Sequence, residues 1–530
     1  MSTAALPVRR LTAILVAVLP YLGVLVFWTI ASLVFGRIRV IPTPLAVMHA
    51  LINDLGVYGT NIAATFSVAA TGCAIGNAAA IVLGVLFVQF AWVERLLLRI
   101  AIASFCVPLV AIAPILVVVL PGDAPKVALA ALSVFFTTLI AVILGLRAAD
   151  PTSVHVIHSL GGNPLHILAK IRLFAMLPSL VAGLKISVPA ALLGAIIGEY
   201  LGSSSGLGVM LVQAQSSFQI PRTWAVALVM SALAGLTYHV FDILGRLVTP
   251  WATQDVTLAT ASITAPAHRS IRVSAVISGV GALGSLTLVV AGWYTLITVF
   301  GLNHYFAKTP LDVVRYVTID PQAPGHRAQI WAGLLITIRD AGTGFFFGTI
   351  AATLVAVLTV TFAVVARIVM PLAIALRSVP LVAMTPLLAL VFGRGILGVT
   401  VIVSIVTFFP TLINVVSGLR STPALATDIV RSLGGSDALA TRKVKVLYAL
   451  PAFFAAVRIA VPATLAGATL AEWLVTGKGI GAMLIQDCAA SRFDALWTES
   501  AVIVLVSVAF YSAFGLIERP IITRFGVAPS

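Results

Sequence analysis

Run after run of apolar residues, each about as long as a bilayer is thick, restricts this chain to one kind of architecture. A helix needs ~20 residues to cross the hydrocarbon, and lipid offers no partner to an unpaired backbone N–H or C=O. The runs therefore predict helices. Strands of a membrane barrel would alternate polar and apolar residues, and these runs do not. Twelve spans are expected. They fall near 11–35, 61–90, 98–120, 124–146, 178–200 and 222–247, then near 272–301, 333–363, 368–392, 396–418, 451–474 and 498–518. Pro108, Pro114, Pro371, Pro380 and Pro386 interrupt the third span of each half, and proline removes a helix hydrogen bond. The first run follows Arg9-Arg10 and is too long for a cleaved signal peptide, so it is read as an uncleaved span. Charged residues make up only 9% of the 530, against roughly a quarter in soluble chains. The fold class expected is an all-α polytopic membrane protein.

The chain also repeats itself. Ala148–Pro178 reads ADPTSVHVIHSLGGNPLHILAKIRLFAMLP from residue 149 onward, and TPALATDIVRSLGGSDALATRKVKVLYALP ends at Pro451. Ser159, Gly161, Gly162 and Lys170 return as Ser432, Gly434, Gly435 and Lys443, a shift of 432 − 159 = 273, and Glu199 returns as Glu472. Thr65, Gly72, Gly76 and Pro108 return at 272 as Thr337, Gly344, Gly348 and Pro380. Six spans per copy is an even number, so both copies enter from the same face and the repeat is parallel, unlike the inverted repeats of many secondary transporters. The expected division is a first unit at 1–250, a cytoplasmic linker at 251–272 and a second unit at 273–530. Small residues four apart, such as Gly72 and Gly76, let helices approach closely.

The net charge of +15 would suggest nucleic acid in a soluble protein. Here the excess is Lys and Arg flanking spans, and no nucleic-acid partner is expected. With the N-terminus placed inside, 18 of the 32 Lys and Arg residues fall on the inner side, 10 outside and four within spans. That bias puts both termini and both copies of the repeated segment in the cytoplasm. The three cysteines and eight histidines show no metal-ligand spacing.

Ser-Leu-Gly-Gly in a polar loop is a helix stop, because glycine takes the left-handed backbone that other residues resist. Each segment, 148–177 and 421–450, should form two short helices at an angle, the second carrying Lys170 and Arg172 or Arg442, Lys443 and Lys445, before Pro178 or Pro451 opens the next span. Such an exposed, turn-bounded hook suits docking into a groove on another protein.

The segment resembles the EAA loop of ABC importer permeases, whose pattern is roughly Glu-Ala-Ala, three residues, Gly, nine residues, Ile, x, Leu-Pro. With Gly161 as the glycine, the first three positions are His155-Val156-Ile157 and the Ile is Ile171; in the second copy they are Asp428-Ile429-Val430, Gly434 and Val444. The acid survives only as Asp428, and only a later Leu-Pro is kept. Ile41-Pro42-Thr43-Pro44, Leu376–Pro380, and Glu199 or Glu472 followed by Gly206-Leu207-Gly208 or Gly479-Ile480-Gly481 are similar to the nitrate/sulfonate/taurine branch of these permeases. The resemblance implies the type I ABC importer permease fold, in a bacterial inner membrane, with two units fused. It implies two cytoplasmic ATPase subunits, each gripping one hook through His155, Ser159, Gly161, Gly162, Lys170 and Arg172 or Asp428, Ser432, Gly434, Gly435, Lys443 and Lys445. It also implies an extracytoplasmic binding protein that delivers a small solute, sulfonate-, nitrate- or taurine-like or a vitamin precursor. The chain has no Gly-x-x-x-x-Gly-Lys-Ser/Thr phosphate loop, so ATP and Mg belong to the partners and no cofactor is expected here.

Ionisable groups inside a bilayer are costly and are usually functional or paired. Candidate path residues are Arg377, Glu199, Glu472, Phe135, Phe136, Phe408 and Phe409. For each there is a plainer reading: Arg377 capping a broken helix, the glutamates paired with a basic group, the phenylalanines packed in the core. Lys185 and Arg458 are expected to snorkel to the headgroups. The alternative to an importer permease is a twelve-span secondary transporter, which would carry a basic Gly-Asp motif between spans two and three; this chain has Val93-Glu94-Arg95 there.

Overall fold

A computed structural model of the chain describes residues 22–34 (apart from 24 and 27), 41–252, 271–299, 301–377 and 381–525. Among these residues every regular element is helical. The expected span 11–35 lies largely outside them, as does most of the linker 251–272, while 272–301 is the helix Ile271–Val299.

In the first unit the helices are α1 (Pro44–Asn53), α2 (Leu55–Gln89), α3 (Ala91–Cys106), α4 (Leu109–Val119), α5 (Ala124–Arg147), α6 (Pro151–Ser159), α7 (Pro164–Gly202), α8 (Leu207–Ser216) and α9 (Ile220–Val248). After α10 (Ile271–Val299) and α11 (Pro310–Thr318) the order repeats. The second set is α12 (Ala323–Thr361), α13 (Ala363–Arg377), α14 (Leu381–Phe392), α15 (Ile396–Arg420), α16 (Ala424–Ser432), α17 (Asp437–Thr476), α18 (Ile480–Ala489) and α19 (Phe493–Phe525). Eight of these helices are long and apolar enough to cross a membrane.

The third span of each half is not one helix. α3 and α4 meet at 96°, because Val107, which precedes Pro108, sits at φ −74°, ψ 116°. Crowding by the proline ring pushes the preceding residue out of the helical region. In the second unit α13 ends at Arg377 and α14 begins at Leu381.

This break sends α4 across to the other unit. Ala111 and Ile115 join a core with Ile402, Val403, Leu465 and Leu496, and the buried Ser500 hydroxyl donates to the Ala111 carbonyl at 2.8 Å. Reciprocally, Val382 and Leu387 of α14 lie in the first unit's core with Leu129, Ile196 and Met230. The two units exchange a helix, so neither core is complete without the other.

Within each unit the long helices touch through glycine. A Cβ on Gly76 of α2 would strike Val134 of α5, and one on Gly348 of α12 would come within 2.7 Å of the Ser404 carbonyl of α15. The small residues four apart thus set the closest approach of these helices.

Candidate functional site

The first hook begins where Asp150 accepts hydrogen bonds from the Thr152 N–H at 3.3 Å and the Ser153 N–H at 2.9 Å, capping α6. Hydrogen bonds from the Ser153 hydroxyl and backbone hold the Asp150 carboxyl below its usual range. α6 ends in a Schellman turn. The Gly162 N–H donates to the Ile157 carbonyl at 2.9 Å and the Gly161 N–H to that of His158 at 3.1 Å, with Gly161 at φ +77°. The second hook repeats this through Gly435 to Val430 and Gly434 to Arg431, both at 2.9 Å, with Gly434 at φ +79°. This is the conformation for which glycine is the preferred residue at a helix end.

The chain restarts on Asn163, whose side chain accepts from the His166 N–H at 2.9 Å while the His166 ring accepts from the Asn163 N–H. In the second copy Ser436 accepts from the Leu439 N–H. From there the structure differs from expectation. Pro178 and Pro451 do not open the next span; each lies inside a helix that already began at the hook, 39 residues long in α7 and 40 in α17. A proline deprives only the carbonyl four residues back of its partner. Those carbonyls belong to Phe174 and Leu447, both exposed, so the loss falls outside the packed core. At 1.5 Å per residue each helix is ~58–60 Å long, about twice the ~30 Å hydrocarbon core. Lys170 and Arg172, and Lys443 and Lys445, sit on a π-helical turn near its start, a distortion frequent at functional sites.

His155, Ser159, Gly161 and Lys170 are exposed on the first hook, and Asp428, Ser432, Gly434 and Lys443 on the second, while Gly162 and Gly435 are half-buried. Asp428 is engaged within its own hook, 3.2 Å from Arg431, which also reaches Asp437 at 2.8 Å. Sequence reasoning passed over the leucine between serine and glycine. Leu160 is 80% exposed and Leu433 is 83% exposed, each at the tip of its hook, with Val156 and Ile429 exposed one turn earlier. An apolar residue kept at the same place in both polar loops was the available signal.

At the opposite end of α7 and α17 the two glutamates are buried, 2% and 0% exposed. Glu199 Oε2 accepts from the Gly208 N–H at 2.8 Å, and the Leu207 N–H donates to Thr65 Oγ1 at 2.9 Å. Glu472 Oε2 accepts from the Gly481 N–H at 2.8 Å and from the Thr337 hydroxyl at 3.0 Å, and Thr337 Oγ1 accepts from the Ile480 N–H at 3.0 Å. Each carboxylate therefore clasps the first turn of α8 or α18, where helix N–H groups lack partners and favour negative charge. Gly206 and Gly479, at φ +121° and +91°, make the tight loop that brings those N–H groups in. Among the described residues no basic group pairs with either glutamate; backbone and threonine hold them.

One residue beyond each glutamate, Tyr200 and Trp473 meet edge to face with ring centroids 5.3 Å apart, and the Tyr200 hydroxyl donates to Gln215. The four phenylalanines do not converge. Phe135 and Phe136 pack with Phe87 and Leu139, Phe136 stacking on Phe105 at 4.5 Å. Phe408 and Phe409 lie in a separate cluster with Leu412 and Ala356. Arg377 ends α13, and its side chain falls outside the described residues.

Lys185 and Arg458 are held by protein partners. Lys185 pairs with Asp242 at 2.5 Å, and Arg458 pairs with Glu518 at 3.0 Å while lying 4.4 Å over the Tyr511 ring. Each ties the hook-bearing helix to the last helix of its unit.

The sequence family described as binding-protein-dependent transport system inner membrane component matches residues 76–254 and again 344–523. The chain is 27% identical over 233 residues to the formylaminopyrimidine transport permease protein of Halalkalibacterium halodurans, covering 93% of that protein but 44% of this one. It is 30% identical over 151 residues to the riboflavin transport system permease protein of Chloroflexus aurantiacus, 56% of that protein and 28% of this one. It is 23% identical over 235 residues to the taurine transport system permease protein of Escherichia coli, 85% of that protein and 44% of this one. No solved structure matches. Two family matches cover more than half of the chain, and the formylaminopyrimidine and taurine permeases, about half its length, align over 93% and 85% of theirs. The chain belongs to the family of binding-protein-dependent transport system inner membrane components, as two permease units of an ABC importer joined in one polypeptide.

Proposed function

We propose that this one chain forms the whole translocation pathway of the importer, with two cytoplasmic ATPase subunits each holding one hook and an extracytoplasmic binding protein delivering a small organic solute to the far side. The observation that carries this reading is the continuity of α7 and α17 from hook to clasp. A hook moved by an ATPase moves the same rigid helix whose other end carries Glu199-Tyr200 or Glu472-Trp473. Binding of ATP has only to favour one of two arrangements of the helices through differential contacts.

In this reading the hooks and both termini are cytoplasmic, which the Lys and Arg bias supports. The Tyr200–Trp473 contact closes the outer end, so the form described here faces inward. Hydrolysis is the work of the partners, which supply the phosphate loop this chain lacks. The solute belongs to the small-molecule range of the relatives' names, from taurine to a pyrimidine or riboflavin, and the differences between the units favour one asymmetric molecule.

The test is co-purification. Gly161→Pro or Gly434→Pro, which removes both the left-handed turn and an N–H, should leave membrane insertion intact while the ATPase no longer co-purifies and transport stops. Either variant holding the ATPase at wild-type stoichiometry would refute the hook assignment.

A further inference from the structure

The two units differ where the hook leaves the membrane. In the first, Arg147 at the end of α5 pairs with Glu94 of α3 at 2.6 Å, and Asp150 caps α6. The matching positions in the second are Arg420, Ala366 and Pro423, at shifts of 273, 272 and 273. Both acids are gone and the arginine is kept. The Arg172 position is also still basic, as Lys445.

The result is a cavity of about 530 Å³ bounded by the end of α12, the start of α13, the end of α15 and the start of α16. Arg420 and Lys445 line it, with Thr361, Thr422 and Thr427 and with Ala366 where the first unit has its acid. Among the described residues no carboxylate lies within ion-pair reach of Arg420 or Lys445. These three threonine hydroxyls donate to the Val357, Leu419 and Ala424 carbonyls, so the two cations carry the charge. No side chain caps α16, which adds unpaired N–H groups on the same side.

We propose that this cavity binds the phosphate headgroup of an anionic membrane lipid, which takes the place of the missing carboxylates. Two neighbouring cations and a helix start suit a phosphate. A lipid rather than a soluble anion fits the surroundings. α12 and α15, both long enough to cross the membrane, end here, which puts the cavity at headgroup depth. Phe362, Val364 and Ile368 are exposed beside it and offer acyl chains an apolar wall. The lipid would brace the second hook as Glu94 and Asp150 brace the first, and the two hooks would then differ in their response to membrane composition.

The experiment uses the full chain in nanodiscs of phosphatidylcholine, with and without phosphatidylglycerol, read by hydrogen exchange across residues 420–430. Phosphatidylglycerol should slow exchange there and leave 147–157 unchanged. Arg420→Gln should weaken the response about fivefold, the scale of one basic group against an anionic surface, and Arg420→Lys should retain most of it. Ala366→Glu, which rebuilds the internal pair without removing a cation, should slow exchange in pure phosphatidylcholine and abolish the dependence on phosphatidylglycerol. The proposal is overturned if wild type shows no such dependence, if Ala366→Glu exchanges like wild type in pure phosphatidylcholine and keeps the dependence, or if inorganic phosphate in pure phosphatidylcholine discs protects the segment equally.

Discussion

Tyr200 and Trp473 hold the same place in the two units, 473 − 200 = 273 residues apart, and their rings touch at 5.3 Å. Residues related by the repeat can meet only on the axis that relates the units. The contact therefore marks that axis at the clasp end of α7 and α17.

If that contact closes the outer end, loosening it should leak. Trp473→Ala removes an aromatic pair worth ~0.5–1.5 kcal/mol, which shifts the balance toward the open form roughly two- to twelvefold. Proteoliposomes carrying the variant should lose trapped solute without ATP, and Trp473→Phe should stay tight. Equal leak rates for Trp473→Ala and wild type would sink the gate reading.

The exposed leucines of the hooks should carry their grip. Burying a leucine in a partner's groove contributes ~1.5–3 kcal/mol, so Leu160→Asp and Leu433→Asp should each weaken ATPase retention at least roughly tenfold. The yield of correctly inserted chain should not change. Pull-down stoichiometry across a salt series checks this, since a purely electrostatic grip through Lys170 and Lys443 would lose strength with salt while these variants stayed bound.

The clasps should act on stability before they act on solute. Glu472→Ala strips two hydrogen bonds from a buried carboxyl group, and such bonds contribute ~0.5–1.5 kcal/mol each. A lower melting temperature in detergent is expected, with Thr337→Val intermediate. Unchanged melting with altered solute affinity would instead place Glu472 on the path.

Arg458 gives the sharpest stability test. Its partner Glu518 is 3% exposed, and Arg458→Met would leave that carboxylate buried and unpaired at ~3–5 kcal/mol. The double variant Arg458→Met/Glu518→Gln should recover most of the loss in a thermal melt. Lys185→Met should cost less, because Asp242 also pairs with Arg246 at 2.9 Å.

The apolar runs, the doubled segment and the Ser-Leu-Gly-Gly stops were legible in the residues themselves. A bilayer leaves a bare backbone no choice but a helix, and Gly161 and Gly434 are the residues that accept φ near +80°. Those are local rules, settled within a few residues of chain. Pro178 misled for a related reason: local preference makes proline a boundary, but an exposed turn absorbed the missing hydrogen bond and the helix continued.

What only the tertiary structure decided lies between residues far apart in the chain. The 96° break places Ala111 in the core of the other unit beside Ser500, 389 residues later. Packing, rather than local sequence, paired Arg458 with Glu518, set Glu199 and Glu472 on glycine loops instead of on a cation, and brought Tyr200 against Trp473. Helices form because each backbone must satisfy itself; where they cross is set by which small residues let them approach, and that is a property of two surfaces together.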